Sequence, residues 1–570
     1  MSLLQSDLRS LSVEARRRHA DVKEAADRGA AAVRVHQEAP GAAGAAIGDQ
    51  PELCEELLRP CMLACATNDA RLVLIAVGCL HKLISNGAVP RRFLSAVLIS
   101  LQEQASGPDD GVQAKILQTV LSLMGSEAYS VSANHLGKAL SICLNLHDSN
   151  NKNASPLIRS TAAATLRQAV CLLFERVVAV EPAAVAAAEA AEDDGVTQDD
   201  AGRHPTLHCA ELLCRDLCSL ARGQPAVWLN ANSLELMLIL DLFESLLSDG
   251  LHEAFAAQEP LCHLLKEDLC PLTMQLIESE APLPLFVRAL RIILLCCRHL
   301  AQPLQAQCEA LICQLTASLD GHKAGSARTE TAPLWLRTLT VDFYAVLVKH
   351  VPFAELFVQY EAEAGARAMG GVLAALVQCL KRSMQQEPLC LPTAAGGIDV
   401  RLSLQSRGMP VPNSSPERLV SAAFGLVVDI AAGVSGPILA AAAPLEGGAV
   451  PQAAGQGSAA AHVFESTWPF LLDAMCECIH PLSAFLSSFR EDSNAQTPCL
   501  SWCSRAHALS IAGLVLQSCE KQPVIDMALQ VCAQLVQVSN HRKSPYPTSG
   551  GTHLSSQSRF PCPTGSRDHC

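Results

Sequence analysis

The segment RLVLIAVGCLHKLIS, residues 71–85, sets the terms on which this chain can fold. Leu72, Ile75, Ala76, Cys79, Leu80 and Leu83 recur at the i, i+3, i+4, i+7 spacing that gathers side chains on one side of a helix. The Asn-Gly after it, with Pro90 just beyond, reads as a stop. VQAKILQTVLSLMG at 112–125 repeats the pattern through Ile116, Leu117, Val120, Leu121 and Met124, with Gly125 placed to cap it. HLGKALSICLNLH and STAAATLRQAVCLLFERVVAV continue the series, with Ser160 and Thr161 as candidate N-caps of the latter. A helix with one apolar stripe cannot bury that stripe alone. A succession of them, joined by short Gly, Asn and Pro breaks, must stack as antiparallel pairs. No strict period is visible, so the expected fold is all-α: an irregular HEAT- or armadillo-like α-solenoid.

Composition agrees. Apolar residues make up 49% of the 570, aromatic residues only 4% and charged residues 17%, and this Ala- and Leu-rich balance favours helix over sheet. A chain this long exceeds a single core and divides into several domain-sized units. The net charge is −14, with no long Lys/Arg run and few aromatic platforms, which argues against a nucleic-acid partner. The N-terminus alternates charges without an apolar core, unlike a signal peptide. IAAGVSGPILAAAAPL at 430–445 is too short and too rich in Gly and Pro to span a bilayer. The expectation is a soluble, cytoplasmic chain, without a transmembrane segment, whose 25 cysteines are reduced.

Those cysteines raise the question of metal. Cys476 with Cys478, Cys296 with Cys297, Cys499/Cys503/His507 and His208 with Cys209, Cys214 and Cys218 are the groupings to weigh. No C-x-x-C pair occurs, whereas a tetrahedral zinc site draws on two such arms. Cysteine also packs as a small hydrophobe, so these residues read as helix core, with no metal and no cofactor. Catalytic signatures are missing too: no G-x-S-x-G, P-loop, G-x-G-x-x-G after a strand, or H-E-x-x-H. The stretch LFVQYEAE at 356–363 sets Tyr360 beside Glu361 and Glu363. Acids two apart on a helix point to different faces, so they converge only in a loop, and a structural or contact role is the default.

Three shifts mark boundaries: residues 181–206 form an acidic, Ala-rich linker, residues 386–417 a Pro/Gly/Ser-rich loop and residues 436–460 a Gly/Ala/Pro-rich insertion. Residues 541–570 form a tail expected to be disordered. The abrupt onset of that tail suggests a chain that stops inside a longer architecture. The closing RDHC does not make a prenylation box.

With these segments in hand, a resemblance emerges. LLQSDLRSLSVEARRRHADVKEAADRG at 3–29 resembles the first helices of the dimerisation and cyclophilin-binding (DCB) domain, and STAAATLRQAVCLLFERVV at 160–178 its closing helices. LLKEDLCPL at 264–272 and PLWLRTLTVDFYAVLV at 333–348 resemble the region called homology upstream of Sec-seven (HUS). FVQYEAE then resembles the HUS box of the large Arf exchange factors, Phe-Val-Asn-Tyr-Asp-Cys-Asp: Phe357, Val358 and Tyr360 match, Gln359, Glu361 and Glu363 are amide and acid substitutes, and Ala362 replaces the cysteine. With these departures the chain resembles the Mon-two (Ysl-two) branch rather than the BIG or GBF exchange factors.

The resemblance implies a DCB domain over 1–180, a HUS domain over 207–385, and a further helical region over 418–540 similar to the post-HUS region of Mon-two proteins. The FRLPGE-like loop of a Sec-seven catalytic domain is absent from the sequence. The implied function is a non-enzymatic scaffold, peripheral on Golgi, trans-Golgi and endosomal membranes, in vesicle-mediated transport. Implied partners are Dopey-family proteins and Arf-like small GTPases, with self-association through DCB and HUS. The alternative is the N-terminal regulatory region of an Arf exchange factor. For membrane attachment, Arg16, Arg17 and Arg18 on an amphipathic N-terminal helix and a plainly solvated helix face are both open.

Overall fold

In the computed structural model, residues 2–15, 18–38, 50–126, 132–148, 150–179, 204–248, 250–279, 282–320, 334–350 and 522–540 are described, with five further residues between 375 and 512. All elements among them are helical. In chain order they are α1 (Ser2–Ala15), α2 (Ala20–Glu38), α3 (Pro51–Ala66), α4 (Ala70–Ser85), α5 (Arg91–Ala105), α6 (Asp110–Gly125), α7 (Ala133–His147) and α8 (Pro156–Val178). Next come α9 (Pro205–Ala221), α10 (Leu236–Leu247), α11 (His252–Ala257), α12 (Glu259–Leu264), a π-helical turn (Leu265–Leu269) and α13 (Cys270–Glu278). The last are α14 (Leu283–His299), α15 (Gln305–Asp320), α16 (Leu334–His350) and α17 (Gln522–Asn540).

The helices stack in two rows. One row runs α1, α4, α6, α8, α10, α14, α16; the other runs α2, α3, α5, α7, α9, α12–α13, and α13 then packs on α15. Side-chain contacts fix the directions. Arg71 at the start of α4 pairs with Glu14 at the end of α1 at 3.6 Å, and Lys82 near its end reaches Asp7, so α1 and α4 run antiparallel. From α4 onward the row is parallel: His81 Nε2 lies 2.9 Å from Ser122 Oγ of α6, and Arg176 late in α8 donates to the Ser126 carbonyl just past α6 at 3.0 Å. In the second row, Gln104 of α5 meets Asn68 just past α3 at 3.0 Å, and Lys138 of α7 donates to Ser95 of α5 at 2.8 Å. Parallel rows joined by short connections make each consecutive pair, α3/α4, α5/α6 and α7/α8, antiparallel. This is the expected solenoid, with α1–α2 closing its N-terminal end.

Local chemistry explains the boundaries. Asp69, Asp109 and Ser155 cap α4, α6 and α8 by accepting the N–H of Arg71 (3.0 Å), Val112 (2.9 Å) and Ile158 (3.3 Å). Ser160 and Thr161 are therefore not caps: α8 begins a turn earlier, at Pro156, and Thr161 bonds back to the Leu157 carbonyl at 2.8 Å. The stop after α4 is the Asn-Gly itself. Gly87, at φ 64°, donates to Ile84 O while Ala88 donates to Leu83 O at 2.8 Å, a Schellman closure that needs a left-handed residue. Gly125 does not play that role; it is the last helical residue of α6, and extended Ser126 ends the helix. The apolar stripes are also wider than one face: Val73, Val77 and Leu123 are buried, while Ile75 and Leu121 are only partly so, because each helix meets neighbours in its own row and in the other.

Two prolines inside helices each free a carbonyl. Pro60 in α3 leaves the Glu56 carbonyl without its helical donor, and α2 approaches there at Gly29, where an added Cβ would stand 3.3 Å from that oxygen. Pro271 has no N–H for the Glu267 carbonyl. The chain widens into the π turn just before it, and Arg222 donates to that oxygen at 3.3 Å while pairing with the Asp268 carboxylate at 2.6 Å.

Candidate functional site

The residues that do most to organise this array lie where α7 and α8 meet the helices after the 181–206 segment. After α9, Gly223 (φ 74°) turns the chain into a loop in which Ala226 and Ala231 pair as a single antiparallel bridge and Asn230 takes φ 49°. The loop is held from below by buried Asp216 of α9, whose carboxylate accepts the Leu229 N–H at 2.8 Å. Pinned in this way, the loop projects Trp228 back across the junction. Its indole Nε1 donates to the carbonyl of Ala133, in the first turn of α7, at 3.0 Å. The ring lies on Gly137, where an added Cβ would meet Trp228 O at 3.0 Å and Nε1 at 3.1 Å. Only glycine allows this approach without displacement.

A second tie is ionic. Arg167 of α8 pairs with Asp241 of α10, and Asp241 also accepts from Arg288 of α14 at 2.9 Å. Arg288 and Arg291 both engage Glu244, the latter at 3.3 Å. Asp241, Arg288 and Arg291 are buried, so each depends on the others for its solvation. A third tie is apolar: Phe174 of α8 stacks on Phe255 of α11, centroids 5.3 Å apart, and both rings are fully buried. Also on α11, His252 stacks on His299 at the end of α14 at 3.9 Å. Burial, then the neighbouring His252 and Arg298, pushes the His299 imidazole below its usual value.

The sequence-based site residues fare unevenly. Phe357, Val358, Gln359, Tyr360, Glu361, Ala362 and Glu363 lie outside the described residues, as do Arg16, Arg17, Cys478, Cys499, Cys503 and His507. Cys209, Cys214, Cys218, Cys296 and Cys297 are buried core residues. Burial pushes the Cys209 thiol up to about 11 and the Cys218 thiol to about 12, which keeps them neutral. Among the described residues no group of three or more His, Cys, Asp or Glu could hold a metal. One helix there, α8, is long and apolar enough to cross a membrane, and nine of its residues face the core. Among the described residues a different tyrosine, Tyr344, ties α16 to α15: fully buried, its hydroxyl donates to Ile312 O at 2.9 Å and shares a 2.7 Å bond with Thr316. Sequence reasoning missed Trp228, although a tryptophan in a Gly/Pro/Asn loop, one of four in the chain, is a readable signal.

Comparison with known proteins places this joint between two domains. Residues 1–181 match the Mon2/Sec7/BIG1-like dimerisation and cyclophilin-binding domain, and residues 206–368 match the Mon2/Sec7/BIG1-like HUS domain. The chain therefore carries the paired DCB and HUS domains of the Mon2/Sec7/BIG1-like proteins. More narrowly, it is a homologue of the proteins named MON2. It is 30% identical over 375 residues to the Protein MON2 homolog of Caenorhabditis briggsae, covering 59% of this chain and 22% of that one. It is 27% identical over 364 residues to the Homo sapiens homolog (60% and 20%) and 24% over 358 residues to Protein MON2 of Saccharomyces cerevisiae (60% and 20%). The chain thus spans about a fifth of the length of these relatives. Among solved structures, importin beta in an ammonium sulfate condition aligns over 93% of this chain and 57% of that one at 10% identity, with a TM-score of 0.27. So low a score carries no argument. The solenoid assignment rests on the packing of the two rows.

Proposed function

We propose that this chain is a non-enzymatic helical scaffold acting in Golgi-to-endosome vesicle-mediated transport, peripheral on Golgi, trans-Golgi and endosomal membranes. The observation that carries the reading is the joint itself. Three independent ties, at Trp228, Asp241 and Phe174, hold the DCB and HUS halves as one extended array, which is what a platform for several partners requires. Self-association through DCB and HUS, and work alongside Arf-like small GTPases and Dopey-type partners, belong to the same proposal. So do the expected boundaries at 180, 207 and 385, and the HUS-box reading, in which Tyr360 and its acids tie the end of a HUS helix to its neighbours.

The test uses the purified chain in a nucleotide-release assay with an Arf protein carrying a fluorescent GDP analogue. No acceleration is expected at catalytic concentrations, alongside concentration-dependent mass in light scattering. Clear acceleration would instead support the reading as part of an exchange factor. Tyr360→Ala is expected to lower stability or self-association; if both are unchanged, the box has another role.

A further inference from the structure

The chain has a net charge of −14, yet α4 contains no acid and α6 has only Asp110, in its first turn. Helix α1 covers part of the resulting positive face by supplying Asp7 to Lys82 and Glu14 to Arg71. Nothing equivalent reaches Lys115 in α6: among the described residues its ammonium donates only to Gln118 Oε1 of its own helix, at 2.8 Å. Across from it in α4 stand Gly78 and His81. A Cβ added at Gly78 would meet nothing nearer than the Lys115 side chain, at 3.9 Å. His81, hydrogen-bonded to Ser122, is held below the usual imidazole value by burial first and then by the nearby Lys115 and Lys82. Apolar surface adjoins the charge. Leu74, one turn before Gly78, is 42% exposed, Ala114 beside Lys115 is exposed, and Leu121 is half-buried.

We propose that this face of α4 and α6 is a docking surface for an amphipathic segment of a partner protein, one that lays apolar side chains on Leu74 and Leu121 and brings a carboxylate to Lys115. The charge argues for the occupant. A basic group flanked by exposed leucine, in an otherwise acidic chain, attracts an acidic ligand. The small residues Gly78 and Ala114 leave the approach unobstructed.

The probe is a fluorescein-labelled Leu/Glu amphipathic peptide of about 20 residues, long enough to cross both helices as a helix, compared with the same peptide carrying Lys for Glu. Anisotropy is read against the full chain. The Glu peptide is expected to bind and the Lys peptide not to. Lys115→Glu should weaken the Glu peptide by about tenfold, the effect of losing one charge-assisted contact, and Leu74→Gln should weaken it further. Lys138→Glu, on α7 in the other row, should leave it unchanged. Circular dichroism melts establish that each variant folds. The proposal is overturned if neither peptide binds, if both bind alike, or if Lys138→Glu matches Lys115→Glu. It is also overturned if Lys115→Glu abolishes concentration-dependent sedimentation, which would make the face a contact between two copies. Loss of binding to phosphatidylserine vesicles in Lys115→Glu, with no peptide binding in the wild type, would overturn it in favour of lipid.

Discussion

Trp228 and Gly137 are a matched pair: the indole bonds to the start of α7 only because α7 has no side chain where the ring lies. Trp228→Ala removes that bond and the half-buried ring, and should cost about 2–4 kcal/mol. Gly137→Ala should cost about 1–3 kcal/mol through the clash, although alanine is the better helix former. In urea unfolding the double variant should lose less than the sum, since either change alone dislodges the ring. Full additivity would show that the two residues do not act on one contact. Histidines supply a second test at this scale. His81, His135 and His299 are each pushed below the usual imidazole value, burial being the first cause in every case. The folded chain therefore binds fewer protons than the unfolded chain near pH 6, and stability should rise with pH through the unfolded value of about 6.5 and fall as acid is added. His299→Gln should flatten part of this slope in thermal melts taken from about pH 5.5 to 7.5, the window around that unfolded value. An unchanged slope would assign the acid sensitivity to other groups.

At the scale of elements, the most informative are those interrupted by proline. The turn at Leu265–Leu269 and Arg222 answer one missing N–H at Pro271. Arg222→Ala should destabilise by about 1–2 kcal/mol, since it strands a carbonyl as well as the Asp268 carboxylate. Arg222→Lys should recover only part, because an ammonium cannot serve both acceptors in the same fork. Equal stability of all three in denaturant titrations would mean that water satisfies Glu267 unaided. Helix α7 makes the complementary point. Leu136, Leu140, Ile142, Cys143, Leu144 and Leu146 are buried around most of its circumference, because α5, α6, α8 and α9 all pack on it. A single stripe per helix fits the ends of a stack better than its middle, where each helix is enclosed.

For the whole molecule, the joint predicts how the two halves behave when covalently separated. A protease site introduced between residues 181 and 203 should yield, after cleavage, two pieces that elute as one species. Asp241→Ala should make them separate more readily, because it removes the Arg167–Asp241 pair that crosses the joint, a cost of about 1.5–3 kcal/mol for a charge-assisted contact. Pieces that part immediately in the wild type would show the ties to be weaker than the covalent link. How much of this is legible in the sequence depends on distance along the chain. The helices over 70–85 and 110–125 are readable because their periodicity is local, and the all-α solenoid follows because such stripes must be shared. Ser160 stands more than a turn past the true cap at Ser155, and Gly125 immediately before the true cap at Ser126, since a Ser or Gly near a helix end does not by itself say which residue closes it.

The sequence by itself determined the class of architecture, the place of Cys209, Cys214, Cys218, Cys296 and Cys297 in the core, and the kinship carried by a few short segments. Only the tertiary structure decided the order of partners: that α8 pairs with α10 across the intervening segment, that Arg167 and Asp241, 74 residues apart, share a bridge, and that Trp228 closes on a helix 95 residues earlier. Periodicity is a property of neighbours in the chain, so it reports which side of a helix must be buried. Which surface buries it is settled by packing among distant segments, where a missing Cβ at Gly137 or a spare donor on Arg222 decides the fit.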